Sequence, residues 1–242
     1  MSVLRDIALT LRPGADDRHG PLVPMLVALT VLTGVVDAVS YLKLGHVFVA
    51  NMTGNVVFLG FALAGAGSLS VAASLVALGS FLLGALAGGW LVVRHSEHRG
   101  RLLRAANVVQ AALILAALVL ALAVSEPLAA GPRYGLILLL ALAMGVQNAA
   151  ALRLAVPEMT TTVLTRTLTG LASQVGIVGG PGSQLGRRSV AVAAMLLGAL
   201  CGALLVLKAS VAAAVAVAMA LAAATALAAG ALSGSDAAWT RS

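Results

Sequence analysis

The chain has 242 residues, of which 61% are hydrophobic and 10% are charged, and its mean hydropathy is +1.06. Soluble domains carry roughly 25% charged residues, so this composition excludes a water-soluble globular domain and makes the lipid bilayer the main solvent. The net charge of +7 would suit nucleic-acid binding, but the basic residues lie mostly between apolar segments and aromatic residues make up only 3% of the chain. We therefore expect no nucleic-acid partner.

Residues 1–20 form a polar arm, and eight apolar segments follow it along the chain. A helix needs about 20 residues to cross a bilayer, and most of these segments are that long. They are continuous rather than alternating, and Ala and Leu dominate them, which favours helices over the strands of a barrel. The predicted fold class is an all-α, polytopic membrane helix bundle. The segments cover residues 22–44, 47–65, 70–93, 102–124, 134–154, 159–179, 189–207 and 210–232.

The second and sixth segments, 47–65 and 159–179, differ from the others. The first of them turns polar between Asn51 and Asn55, and the other carries five threonines over 157–167. Each pattern indicates an extended entry followed by a half-helix. Lipid tolerates such irregular backbone only where protein or a water-filled cavity surrounds it.

Loop charges favour six crossings over eight. The arm, the 94–104 loop and the 180–188 loop carry most of the arginines. If the second and sixth segments re-enter without crossing, these three stretches and the C-terminus share the cytoplasmic side, as the positive-inside rule requires. If all eight segments cross, the arm and the 94–104 loop lie on opposite sides. We predict the first arrangement, with cytoplasmic N- and C-termini, and the second remains the alternative.

Three stretches of the chain occur twice in the same order. Their offsets are 111, 112 and 114 residues, which is hard to obtain by chance even in a chain rich in Ala, Leu and Gly. The matching stretches are Gly34–Ala38 with Gly145–Ala149, Met52–Val56 with Leu164–Leu168, and Leu82–Gly88 with Leu196–Gly202.

This duplication predicts two membrane repeats, 21–124 and 134–232, joined by the loop 125–133 and followed by a polar tail, 233–242. Each repeat would contain three spans and one broken, re-entrant segment. An odd number of spans turns the second copy upside down, as in many transporters. A parallel repeat of all-crossing segments is the alternative.

Asp37 is the most unusual residue of the first span. A carboxylate at the bilayer centre costs roughly 2.5–3.5 kcal/mol on insertion scales, so it should face the protein interior and find a partner there. It would either carry a proton part of the time, because desolvation favours the neutral acid, or anchor the broken second segment. Its counterpart in the second repeat, Asn148, keeps the shape without the charge.

The two broken segments carry polar side chains at matching places. A half-helix starting near Thr53 or Thr165 would direct free N–H groups inward and form a site for an anionic or polar solute; alternatively, these side chains only cap the half-helices. Arg166 stands where the first copy has Gly54, and it would either reach an interface or meet Asp37, Glu158 or an anionic ligand. The predicted substrate-binding residues are Asp37, Asn51, Thr53, Gly54, Asn55, Gln147, Asn148, Thr165, Arg166 and Thr167.

The sequence indicates neither metal binding nor catalysis. Gly84 with Gly88, and Gly198 with Gly202, form small-residue faces that would pack between the repeats or between the protomers of a homo-oligomer. The histidines make no metal-ligand spacing, the single cysteine allows no internal disulfide, and no Ser or Thr stands near a base that would activate it. We expect no metal, no cofactor and no catalytic residues, so the chain is not predicted to be an enzyme.

The chain resembles the YoaK-type family of bacterial inner-membrane proteins, which carries a domain of unknown function. The resemblance covers about residues 25–232 and departs from the family at Arg166, where the family usually has glycine. It implies a multi-pass protein of the bacterial inner membrane and supplies no substrate. The residues that carry it are Gly34–Ala38, Phe48, Met52–Asn55, Gly145–Ala149, Thr161, Thr162, Thr165 and Thr167.

The function predicted from these features is that of a small permease-like membrane protein with a polar site between two repeats. The alternative is a non-transporting scaffold or regulatory subunit, in which the buried polar residues only hold broken helices in place.

Overall fold

The computed structural model describes residues 19–156, 168–169, 185–233 and 238–240. Within these residues the regular structure is helical, and six of the helices are long and apolar enough to cross a membrane. The predicted class, an all-α polytopic membrane bundle, is confirmed. The helices are α1 (Leu22–Lys43), α2 (Met52–Leu63), α3 (Val71–Arg94), α4 (Arg99–Ala123), α5 (Ala130–Leu154), α6 (Leu185–Lys208) and α7 (Val211–Leu232), followed by a 3₁₀ turn (Ala238–Thr240).

Several sequence predictions fall outside the described residues. They include most of the arm and most of the sixth apolar segment, 159–179. Three of the predicted site residues, Thr165, Arg166 and Thr167, belong to this group.

The second apolar segment enters and leaves at the same end of the bundle. Its helix α2 has 12 residues, about 18 Å at 1.5 Å per residue, which is too short for a hydrocarbon core of about 30 Å. Phe58 of α2 lies beside Tyr41 near the end of α1, with ring centroids 6.0 Å apart. Gly45 follows α1, and a Cβ added there would lie 3.9 Å from the Cβ of Ala73 at the start of α3. Therefore α1 and α3 run in opposite directions.

The spanning helices pack most extensively as two parallel pairs, α1 with α6 and α3 with α5. Glycines bring the backbones together in both pairs. A Cβ added at Gly198 of α6 would overlap the carbonyl oxygen of Val31, and a Cβ added at Gly84 of α3 would overlap that of Leu142. Helices approach this closely only where the residue at the crossing is small.

The two crossings correspond residue by residue. Gly34 meets Met195 and Ala199, and Gly145 meets Phe81 and Ala85. Each residue of one crossing is related to its counterpart in the other by the offsets of 111 and 114 residues found in the sequence.

The third major contact, between α4 and α7, is antiparallel. Arg104 near the start of α4 lies beside Gly230 near the end of α7, and Glu126 after α4 bonds to Val211 at the start of α7. Because short connections alternate the direction of successive spans, α1, α4 and α6 run one way, and α3, α5 and α7 run the other. The first, second and third spanning helices of residues 21–124 therefore run opposite to the first, second and third spanning helices of residues 134–232.

The small-residue faces are used within the chain. Gly84 and Gly88 are buried against α5, and Gly198 and Gly202 are buried against α1. Of the two predicted uses, packing between the two parts of the chain is the one observed. A homo-oligomer would have to form through a different surface.

Candidate functional site

Asp37 anchors the segment that precedes α2. Its Oδ1 accepts hydrogen bonds from the backbone N–H groups of Val49, at 3.0 Å, and Ala50, at 2.9 Å. The N–H of Asn51 is also directed to this carboxylate. Buried backbone groups that lack a partner are costly in lipid, so the carboxylate allows the chain to leave helical geometry at this depth.

The second oxygen of Asp37 has a different environment. The residue is 5% exposed, and its Oδ2 has no hydrogen-bond partner among the described residues. Asp37 forms part of the wall of a cleft of about 270 Å³ between α1, the segment before α2, and α6. Other residues of this wall are Tyr41, Phe48, Asn51, Met195, Ala199 and Ala203.

Three aromatic rings hold α2 against α1. Tyr41 and Phe48 stack with centroids 5.2 Å apart, and Phe48 and Phe58 stack at 5.6 Å. Gly54 leaves room for this arrangement, because a Cβ at Gly54 would lie 2.8 Å from the ring of Phe48. The predicted site residue Gly54 is therefore a spacer for an aromatic wall of the cleft.

The remaining predicted residues of α2 have separate roles. Asn55 is fully buried. It accepts a hydrogen bond from the N–H of Phe48 at 2.8 Å and donates one to the carbonyl of Phe48 at 2.6 Å, so its amide is occupied by the backbone. Thr53 is exposed, and Asn51 is half-buried. Of the predicted residues of the first repeat, Asp37 and Asn51 line the cleft.

Gln147 joins a different polar cluster, one turn of α1 away from Asp37. Its Nε2 donates to the hydroxyl of Thr33 at 3.0 Å, and its Oε1 accepts a hydrogen bond from Gln110 of α4. This cluster ties α1, α4 and α5 together, in agreement with the role of amides in helix association. Asn148 donates to the carbonyl of Met144 in its own helix, at 2.9 Å.

Two buried amides of α4 were not predicted from the sequence. Asn107 and Gln110 are 1% and 0% exposed, and neither Nδ2 of Asn107 nor Oε1 of Gln110 has a hydrogen-bond partner within the described residues. The signal was present, since both are polar residues inside an apolar segment, as Asp37 is. Among the described residues no group of three His, Cys, Asp or Glu side chains could hold a metal ion.

Polar contacts close one end of the bundle. Glu126 accepts a hydrogen bond from the N–H of Val211 at 2.7 Å and pairs with Lys43 at 3.2 Å. The N–H of Val211 and the charge of Lys43 hold the pKa of Glu126 below its ordinary value. This carboxylate lies outside the spanning helices and joins the end of α1 to the start of α7.

Contacts at the opposite end involve Arg99 and Trp239. Arg99 donates to the carbonyl of Leu154 at the end of α5 and lies 3.3 Å from Nδ1 of His19. Trp239 is buried against Gly20 and Gly100. Both ends of the bundle are therefore tied between residues 21–124 and residues 134–232.

Replacing Glu126 by glutamine tests the contact at the first of these ends. At neutral pH the variant should lose about 0.3–1 kcal/mol of stability, the usual value of a carboxylate at a helix N-terminus. Because folding lowers the pKa of Glu126, its stabilisation is complete above the ordinary pKa of 4.5 and is lost as the pH falls through the folded-state value. Thermal unfolding between neutral and acidic pH should therefore show a weaker pH dependence in Glu126→Gln. The exposed residue Glu97 provides the control, and an equal effect of Glu97→Gln would contradict the prediction.

A family model described as "Protein of unknown function (DUF1275)" matches residues 25–228. The chain belongs to this family. The chain is similar to the UPF0700 transmembrane protein YoaK of Bacillus subtilis (strain 168), with 37% identity over 153 residues. The match covers 62% of this chain and 66% of YoaK, slightly less than two thirds of its length. No solved structure matches the chain. The resemblance predicted from the sequence is confirmed, and with the six apolar helices it identifies a multi-pass membrane protein.

Proposed function

We propose that this family member is a small-solute permease, not an enzyme, whose polar site is the cleft at Asp37. The observation that carries the proposal is Asp37 in the wall of that cleft, with a buried Oδ2 that has no hydrogen-bond partner among the described residues. Ionisable groups at membrane depth are costly and most often belong to solute or ion pathways. An oxygen needed only for anchoring would have its partners within the fold, as Oδ1 has.

An inverted repeat would place this cleft at the interface of its two copies, where transporters of this kind bind their solute. The corresponding glycine crossings and the opposed helix directions support two copies related by a two-fold axis in the membrane plane. In such proteins the solute binds beside broken helices at the interface of the copies, and rocking of one copy against the other exposes it to each side. Here α1 belongs to the first copy and α6 to the second.

The same arrangement supports a bacterial inner-membrane location with both termini in the cytoplasm. Four arginines between Arg94 and Arg104 lie at the end of the bundle where α1 and α6 begin. Arg187 and Arg188, in the first turn of α6, lie at that end as well. By the positive-inside rule this end faces the cytoplasm.

The alternative function is that of a non-transporting scaffold. It is favoured by the hydrogen bonds from Val49 and Ala50 to Oδ1 of Asp37, which would be sufficient reason to keep a carboxylate at this position. The two functions differ in whether water reaches the cleft.

Cysteine labelling distinguishes them without knowledge of the solute. In a Cys201→Ser background, Ala203→Cys places a thiol in the cleft, and Leu200→Cys places one on the exposed face of the same helix, towards lipid. Because the thiolate is the reactive form and apolar surroundings suppress it, a membrane-impermeant maleimide should label the cleft cysteine about tenfold faster than the control. Equal, slow labelling of both positions from both sides would indicate a dry interior and support the scaffold.

A further inference from the structure

We propose that the cleft binds a small organic cation of the alkylammonium class, between the carboxylate of Asp37 and the rings of Tyr41 and Phe48. The inference rests on the proposed permease function and names the solute class. It replaces the anionic or polar solute that the half-helix pattern suggested.

The position for an anion is already occupied by the protein. The N–H groups of Val49 and Ala50, immediately before α2, donate to Oδ1 of Asp37, and the N–H of Asn51 is directed at the same carboxylate. A helix N-terminus favours a negative charge, and Asp37 supplies that charge from α1. A free anion entering the cleft would meet this carboxylate and be repelled by it.

Within the described part of the chain, the charge of Asp37 is only partly compensated. Among these residues Oδ2 has no hydrogen-bond partner, and no Lys or Arg lines the cleft. A buried carboxylate is stable when it has a counter-charge or further hydrogen bonds. A cationic ligand would provide the missing partner.

The other walls suit an organic cation better than a metal ion. Aromatic rings attract ammonium groups through their faces, and the stacked rings of Tyr41 and Phe48 line the cleft on the same side as the carboxylate. The opposite wall is formed by Met195, Ala199 and Ala203, which can contact alkyl groups. Hard metal ions require six or more oxygen ligands, and this lining offers few.

Volume limits the size of the ligand. The cleft of about 270 Å³ lies just below the range of about 300–1,000 Å³ for drug-sized ligands. A cation of a few carbon atoms fits such a space.

Choline and its uncharged carbon isostere, 3,3-dimethylbutan-1-ol, are matched probes for this inference. Calorimetric titration of the purified full chain in detergent should show saturable binding of choline and none of the isostere. Asp37→Asn should weaken choline binding by about 10–100-fold, since it removes a charged partner. Phe48→Leu should weaken it by about 3–10-fold. Phe61→Leu, which changes an exposed aromatic residue of α2, should leave it unchanged.

Three results would overturn the inference: tighter binding of the anionic isostere 3,3-dimethylbutyrate, equal binding of choline and the neutral isostere, or absence of choline binding. If the cysteine in the cleft is still labelled from water, the permease function stands and only the solute class is wrong. If the cysteine in the cleft is not labelled, the proposed function fails as well. Phe48→Leu keeps the test informative should Asp37→Asn not fold, because it leaves the carboxylate anchor in place.

Discussion

Replacing Asp37 by leucine should cost about 2–6 kcal/mol of stability, because it leaves the N–H groups of Val49 and Ala50 without an acceptor in a buried place. Each buried donor that loses its partner costs about 1–3 kcal/mol. Asp37→Asn keeps an amide oxygen that can accept both hydrogen bonds, so it should lose no more than about 1–2 kcal/mol. Reversible unfolding in bicelles measures both values.

The order of the two variants separates anchoring from ligand binding. Asparagine should preserve the fold while losing the binding of a cation, and leucine should lose both. Thr30→Val is the matched control on α1, because the hydroxyl of Thr30 is buried and bonds to the carbonyl of Leu26 in its own helix. A variant Asp37→Asn as unstable as Asp37→Leu would show that the fold requires the charge itself.

Replacing Gly84 by alanine should separate α3 from α5. The added methyl group would overlap the backbone carbonyl of Leu142, and a backbone cannot move aside as a flexible side chain can. Overpacking typically costs about 1–3 kcal/mol and occasionally more, and the backbone contact places this variant at or above the upper end. Gly198→Ala should behave in the same way, since it meets Val31 in the corresponding crossing of α6 with α1.

The same helix contains the controls for this experiment. A Cβ added at Gly79 or Gly89 of α3 would meet no atom within 4 Å. Alanine at these positions should stabilise the helix by about 0.5–1 kcal/mol, because it reduces the conformational freedom of the unfolded chain. Thermal unfolding of the purified variants should therefore give shifts of opposite sign within one helix. Equal effects of Gly79→Ala and Gly84→Ala would contradict the packing described here.

The proposed inverted repeat links these experiments to the proposed function. If α1 with α6 and α3 with α5 are equivalent crossings, the bundle has two similar hinges between its copies. The cleft described here lies at the crossing of α1 with α6, where Asp37 stands at the position that Asn148 holds in the second copy. In a permease of this type the two equivalent crossings would allow the copies to move, and the difference between Asp37 and Asn148 would set the chemistry of the site.

The membrane location, one site residue and the helix-packing faces could be predicted from the sequence. Membrane location follows from the length and hydropathy of the apolar segments, which are local properties of the chain, and the loop charges favoured six crossings over eight. Asp37 could also be identified from the sequence, because placing a carboxylate within an apolar segment costs free energy wherever that segment lies in the fold. The glycine faces were also predictable, because residues four apart lie on one side of a helix.

Which groups contact one another depends on how the helices pack. The sequence shows Asn55 and Phe48 seven residues apart, but their paired hydrogen bonds depend on how the chain turns before α2. Likewise, Gly84 could have packed against another copy of the chain, and its contact with Leu142 follows from the position of α5. The partner of Gln147 was not predictable, since Gln110 lies on a different helix. The spacing of apolar residues and the cost of burying a polar group can be read from the sequence. The contacts between residues distant in the chain depend on packing in three dimensions.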